Sequence, residues 1–152
     1  MTPSLLNAKI GTKETTVTDK SFLDQYLEFV DGVTSDPSKS KEAFLARVEE
    51  LYEQGCDVSR LNTAANGITA EAGEFQEVVK KIMWQGKPYD EANIFHMKRE
   101  LGDVMWYFAN ACIALNLDPY EVFEENVRKL ESRYPGGTFS IQRSEVRKAG
   151  DL

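Results

Sequence analysis

The amino-acid sequence predicts an all-α fold, a bundle of about five helices. Three observations lead there. No segment keeps the apolar–polar alternation of a strand for more than a few residues. Two long stretches, about 61–83 and 91–115, carry apolar or small residues in alternating steps of three and four, the seam of a helix lying lengthwise on another helix. Between the stripes stand residues that end helices: Asp31-Gly32, Gly55, Gly86 with Pro88, Asp118-Pro119 and Pro135-Gly136-Gly137.

In chain order, residues 1–19 are rich in threonine and lysine without any period, and are expected to form a flexible arm. A domain is expected over 20–137. Its first helix starts at Ser21, with Phe22, Tyr26, Leu27 and Val30 on one side, and ends near Asp31-Gly32. The loop TSDPSKS leads to a second helix striped by Phe44, Leu45, Val48, Leu51 and Tyr52, with Gly55 as its cap. The third carries Leu61, Ala65, Ile68, Ala72, Phe75, Val79 and Ile82; the fourth carries Ile94, Met97, Leu101, Val104, Phe108, Ala111 and Leu115. Asp118 followed by Pro119 is an N-cap with proline in the first turn, opening a fifth helix that stops before Pro135. The tail, 138–152, shows no strong period and is expected to be extended or partly disordered.

Composition narrows the function. A chain of 152 residues is long enough for one core and short for two. No apolar run approaches the roughly 20 residues of a membrane span, and the N-terminal stretch lacks an apolar segment followed by a cleavage site, so no membrane or secretion role is expected. Two cysteines, Cys56 and Cys112, suit buried thiols in a reducing cytoplasm better than a disulfide framework. The net charge of −7 argues against a general nucleic-acid binder, which needs a dense cationic surface. An anionic substrate would therefore require bound cations, and clustered carboxylates are the means of holding them.

Such carboxylates stand on both long helices. At about 100° per residue, Glu71 lies roughly 70° from the seam of its helix and Glu74 roughly 130°. Glu100 and Asp103 bear the same relation to theirs, displaced in the same sense. Packed antiparallel, the two helices would bring both pairs to one edge of the shared core, with Gly67, Ala70 and Gly73 keeping bulk away. E-x-x-E on a helix is commonly a solvated face; the matched offset of two pairs is what singles these out. Four carboxylates together repel one another unless cations intervene, and oxygen-only ligands suit Mg²⁺ or Mn²⁺ rather than zinc. Glu77, nearly opposite the seam, is expected to be plain surface.

The run E-A-G-E (71–74), a gap of twenty-five residues, E-L-G-D-V-M-W-Y (100–107), and then E-N-V-R-K-L-E-S-R-Y-P (125–135) resembles the MazG-type all-α nucleoside triphosphate pyrophosphohydrolases, in their short single-domain bacterial and phage form. The similarity spans about residues 60–137, and the first sixty carry no matching motif. The resemblance implies a MazG-like bundle that cleaves a (deoxy)nucleoside triphosphate between its α- and β-phosphates, giving monophosphate and pyrophosphate with Mg²⁺. It implies two or more ions held by Glu71, Glu74, Glu100 and Asp103, and a homodimer or homotetramer.

Cations of this kind neutralise charge on the triphosphate and lower the pKa of the water that attacks phosphorus in line. Glu74 is the favoured base, with Glu71 beside it. Lys81, Lys129 and Arg133, with Asn126 one turn before Lys129, are the candidates for phosphate contact; Lys80 and Arg128 are further cations. Asn62 and Asn66 precede Glu71 at helical spacing and offer amides to a base edge, while Trp84 and Tyr107 offer rings, with Trp106 a further choice. His96, one turn before Glu100, reads as a surface or supporting residue. A deoxynucleoside triphosphate is expected, a purine such as dGTP favoured. The alternatives are a dUTPase-like or other nucleotide pyrophosphatase, and a non-enzymatic helical module with an acidic docking edge. No glutamate has a histidine three residues on, which argues against a ferritin-like di-iron site.

Overall fold

The computed structural model describes residues 20–146, so the expected arm and the last six residues lie outside the described part. Six α-helices are present there and no strand: α1 (Phe22–Val33), α2 (Lys41–Glu53), α3 (Val58–Trp84), α4 (Glu91–Leu115), α5 (Pro119–Arg133) and α6 (Ile141–Glu145). The all-α expectation holds, with one helix more than the sequence suggests. The chain divides after Arg47, inside α2, into two compact units.

In the first unit, a capping box starts α1: Ser21 Oγ accepts from the Asp24 amide at 3.2 Å while Asp24 Oδ2 accepts from the Ser21 amide at 3.1 Å. The helix runs through Gly32 rather than stopping there, and ends where Thr34 turns extended and its hydroxyl donates to the Val30 carbonyl. The expected loop contains a single 3₁₀ turn at Asp36–Ser38, with proline in its first turn.

In the second unit, α2 closes as its glycine predicts. Gly55 adopts φ +83°, and the Cys56 amide reaches back to the Leu51 carbonyl at 2.9 Å. Asp57 caps α3, accepting from the Arg60 amide, so that helix begins a turn earlier than its apolar stripe. The 85–90 loop is tied down by Asn93, whose buried side chain donates to the Pro88 carbonyl and to Asp90, the cap of α4. Helix α4 ends at Asn116, in the left-handed conformation at φ 52°. Asp118 then caps α5 through the Tyr120 amide, as the Asp-Pro pair predicts. Helix α6 replaces the extended chain expected there; five residues are too few to show a helical period in sequence.

Helices α3 and α4 form the one extensive helix–helix packing among the described residues. The face they share differs from the predicted seams. The buried residues are Ala64, Gly67 and Val78 on α3, and Asn93, Glu100 and Cys112 on α4. On α3 this stripe is shifted by one residue from the seam, a rotation of about 100° towards the acids. Small residues explain the choice. A Cβ added at Gly67 would stand 2.1 Å from the Tyr107 ring, so the ring fills the space that the missing side chain leaves. Most large seam residues, such as Ile68, Phe75, Val104 and Phe108, are half-buried, while Leu101 is 50% exposed and Ile94 43%. Helix α5 meets α4 through Phe108 and Phe123, whose rings stack at 5.5 Å.

Candidate functional site

The rotation of α3 and α4 decides where the acids go. Glu100 is not at the edge of the interface but within it, at 7% exposure, and Glu71 is half-buried one turn from the Gly67–Tyr107 contact. Glu74 is exposed. Carboxylate oxygens of Glu71, Glu74 and Glu100 lie within 4.8 Å of one another. Asp103 is outside that tight set but near enough for its charge to act on Glu71.

The site is electrostatically loaded. Burial, and then the negative charges of Glu74, Asp103 and Glu100, push the Glu71 carboxyl above its ordinary pKa, and a hydrogen bond from its protonated form to Glu100 adds to the effect. The donor set fits a hard divalent ion. Oxygens bound at about 2.1 Å to one Mg²⁺ lie at most about 4.2 Å apart, so a set already within 4.8 Å needs only small side-chain adjustments.

The other predicted residues divide between those near this site and those elsewhere. Tyr107 packs on Gly67, one turn before Glu71, and meets Trp106 edge-on, with ring centroids 4.7 Å apart, so its ring is held rather than standing free. Asn66 donates through Nδ2 to both the backbone and the side-chain oxygen of Asn62, making an exposed amide pair on α3. Trp84 ends α3 and is 73% exposed.

Lys81 is engaged by Glu77 at 3.1 Å, and Lys80 by the same carboxylate. Those two hydrogen bonds, Lys80 first, hold Glu77 below the usual carboxylate range; its side chain is 44% exposed, so Glu77 is the surface residue expected, ion-paired to two lysines of its own helix. Asn126 and Lys129 line an open groove of about 850 Å³ along α5, whose described lining includes none of the four acids. Arg133 is in the last turn of α5. Arg128 pairs with Glu124 and Glu125.

One contact was poorly marked in the sequence. His96 Nε2 lies 2.9 Å from Glu100 Oε1. The spacing of one helical turn was the available signal.

An antiparallel helix pair that gathers three carboxylates into a cation-sized cluster defines a class of all-helical protein suited to divalent-metal chemistry on anionic substrates. Residues 60–138 match the MazG nucleotide pyrophosphohydrolase domain. The chain therefore belongs to the MazG nucleotide pyrophosphohydrolase family, whose members are enzymes acting on nucleoside triphosphates. Among curated proteins, the chain is similar to the "Gene 37 protein" of Mycobacterium phage L5, 36% identical over 84 residues, which cover 54% of this chain and 74% of that protein. No solved structure matches the chain. Helices α4 and α5, and all but the first two residues of α3, fall within the matched stretch, while α1 and α2 precede it.

Proposed function

We propose that this enzyme hydrolyses a (deoxy)nucleoside triphosphate between the α- and β-phosphates with Mg²⁺, releasing monophosphate and pyrophosphate. The carboxylate cluster of Glu71, Glu74 and Glu100 carries the proposal. In this reading these three residues, with Asp103, hold two or more Mg²⁺ ions, Mn²⁺ substituting. When bound, the cations supply positive charge to the triphosphate and acidify the attacking water.

The chain's own residues have distinct parts. Glu100, fixed inside the helix interface, sets the position of the site, and Glu71, whose carboxyl is pushed above its ordinary pKa, takes up cations in competition with protons. Glu74 is the exposed member and the favoured proton acceptor for the attacking water. Tyr107, packed on Gly67, holds its ring one turn before Glu71. Lys81, held by Glu77 two turns beyond Glu74, is the α3 candidate for phosphate contact. Asn126, Lys129 and Arg133 are candidates on α5.

The Asn62–Asn66 amide pair suits hydrogen bonding to a base, with Trp84 offering an exposed ring to stack on it. A purine deoxynucleotide such as dGTP is the favoured substrate, in control of the nucleotide pool. The exposed large residues of the predicted seams, Ile94 and Leu101 among them, support assembly into a homodimer or homotetramer. The net charge of −7 speaks against a nucleic-acid partner, and no helix among the described residues is long and apolar enough to cross a membrane. A cytoplasmic enzyme fits both.

Incubation with Mg²⁺ or Mn²⁺ and each common ribo- and deoxynucleoside triphosphate, with chromatography of the products, tests the reading. Monophosphate plus pyrophosphate, lost in Glu74→Gln, is the expected result, with dGTP among the best substrates. Orthophosphate release would place the cleavage at another bond. Absence of turnover with every substrate would favour a docking module.

A further inference from the structure

We infer that His96 is a positioning residue for Glu100, holding that carboxylate in the orientation that a divalent cation requires. The inference rests on the assignment of Glu100 as a metal ligand. His96 is the only histidine of the sequence, and it stands one turn before Glu100 on α4 with Nε2 2.9 Å from Oε1. A carboxylate oxygen accepts and does not donate, so Nε2 carries the proton in this contact.

The two partners sit in different environments. The His96 side chain is 48% exposed, whereas Glu100 is buried in the α3–α4 interface. The imidazole therefore reaches from the surface to a carboxylate buried in the helix interface. Oxygens of Glu71 and Glu74 lie within 4.8 Å of a Glu100 oxygen, so the orientation of the Glu100 carboxylate decides how the three meet a cation. Engaging Oε1 from one turn earlier on the same helix limits rotation of the carboxylate and so favours one orientation. Metal-ligating carboxylates are generally held by such outer hydrogen bonds, and loss of the holding group typically costs about 10- to 100-fold in metal affinity. Because the imidazole is half exposed, its removal leaves no cavity and should not unfold the helix pair.

The test is a titration of the nucleotide-free full chain with Mn²⁺, reading free Mn²⁺ by electron paramagnetic resonance, for the native protein, His96→Ala, His96→Gln and Glu100→Gln. Circular dichroism checks that helix content is unchanged. His96→Ala should weaken Mn²⁺ binding about tenfold. His96→Gln, whose amide can donate to the same oxygen, should restore binding to within about threefold of the native value. Glu100→Gln should lose most of it. Native-like binding by His96→Ala while Glu100→Gln fails would overturn the inference and leave the ligand assignment standing. Equal weakening in His96→Ala and His96→Gln would also overturn it, since the hydrogen bond would not be the cause. Native-like binding by Glu100→Gln would remove the ligand assignment itself.

Discussion

The α3–α4 pair has two faces, and they reverse the usual relation between side-chain size and burial. The shared face is built from Ala64, Gly67 and Val78 against Asn93, Glu100 and Cys112, and it contains two of the four acids, Glu71 and Glu100. The other face, where the sequence places its apolar seams, is half-buried for the most part and open at Ile94, Leu101 and Leu115, which are near half exposure. Apolar burial alone would select the larger residues. The contact of the Tyr107 ring with Gly67 selects the smaller ones, and in doing so draws Glu71 and Glu100 together. One face thus assembles chemistry within a single chain; the other is left with apolar surface of the kind that a second chain covers.

The strongest break in this contrast is at the acids. Glu100→Gln should lower kcat/KM for the best triphosphate by at least about 100-fold, because the most buried member of the cluster loses its charge while its shape stays. Steady-state assays with pyrophosphate detection measure it. Next comes the contact that gathers the acids. Gly67→Ala places a methyl in the Tyr107 ring, and overpacking of this sort should cost about 1–3 kcal/mol in urea unfolding, with metal affinity falling alongside. Unchanged stability would mean that the ring simply swings away.

The open face gives a smaller and separable effect. Ile94→Glu should weaken self-association by about tenfold or more, seen as a lower mass in light scattering, while helix content is kept. If the mass does not change, that face has another purpose.

The site's charge gives a pH dependence. The folded pKa of Glu71 is raised above its unfolded value, so its contribution to stability is fully present below the unfolded pKa and is lost as pH rises through the folded one. In chelator, the native protein should lose thermal stability across that window, and Glu71→Gln should flatten the loss. Mn²⁺ should restore stability most at the alkaline side. The smallest effect is expected from Glu77→Gln: it frees Lys80 and Lys81 but should leave Mn²⁺ affinity within about twofold of native.

What the sequence made legible was mostly local. Asp118-Pro119, Gly55 and the bounds of α4 depend on residues within a turn or two of one another, and the structure repeats them. The acid pairs were legible because they repeat on two helices. Which stripe of α3 would meet α4 was not, since Ala64-Gly67-Glu71 and Ala65-Ile68-Ala72 have the same spacing and only the partner helix distinguishes them. The Gly67–Tyr107 contact joins residues forty apart and leaves no periodic trace. Glu77 was legible as surface, but its hold on Lys80 and Lys81 was not, because those lysines were read as phosphate contacts instead.

The central claim, that Glu71, Glu74 and Glu100 of one chain form the cation site, is tested most directly by anomalous diffraction from crystals grown with Mn²⁺ and a non-hydrolysable triphosphate. The predicted result is a manganese peak about 2.2 Å from oxygens of all three glutamates, with phosphate oxygens completing its coordination. Manganese bound elsewhere while these carboxylates carry none, with nucleotide present, would contradict it.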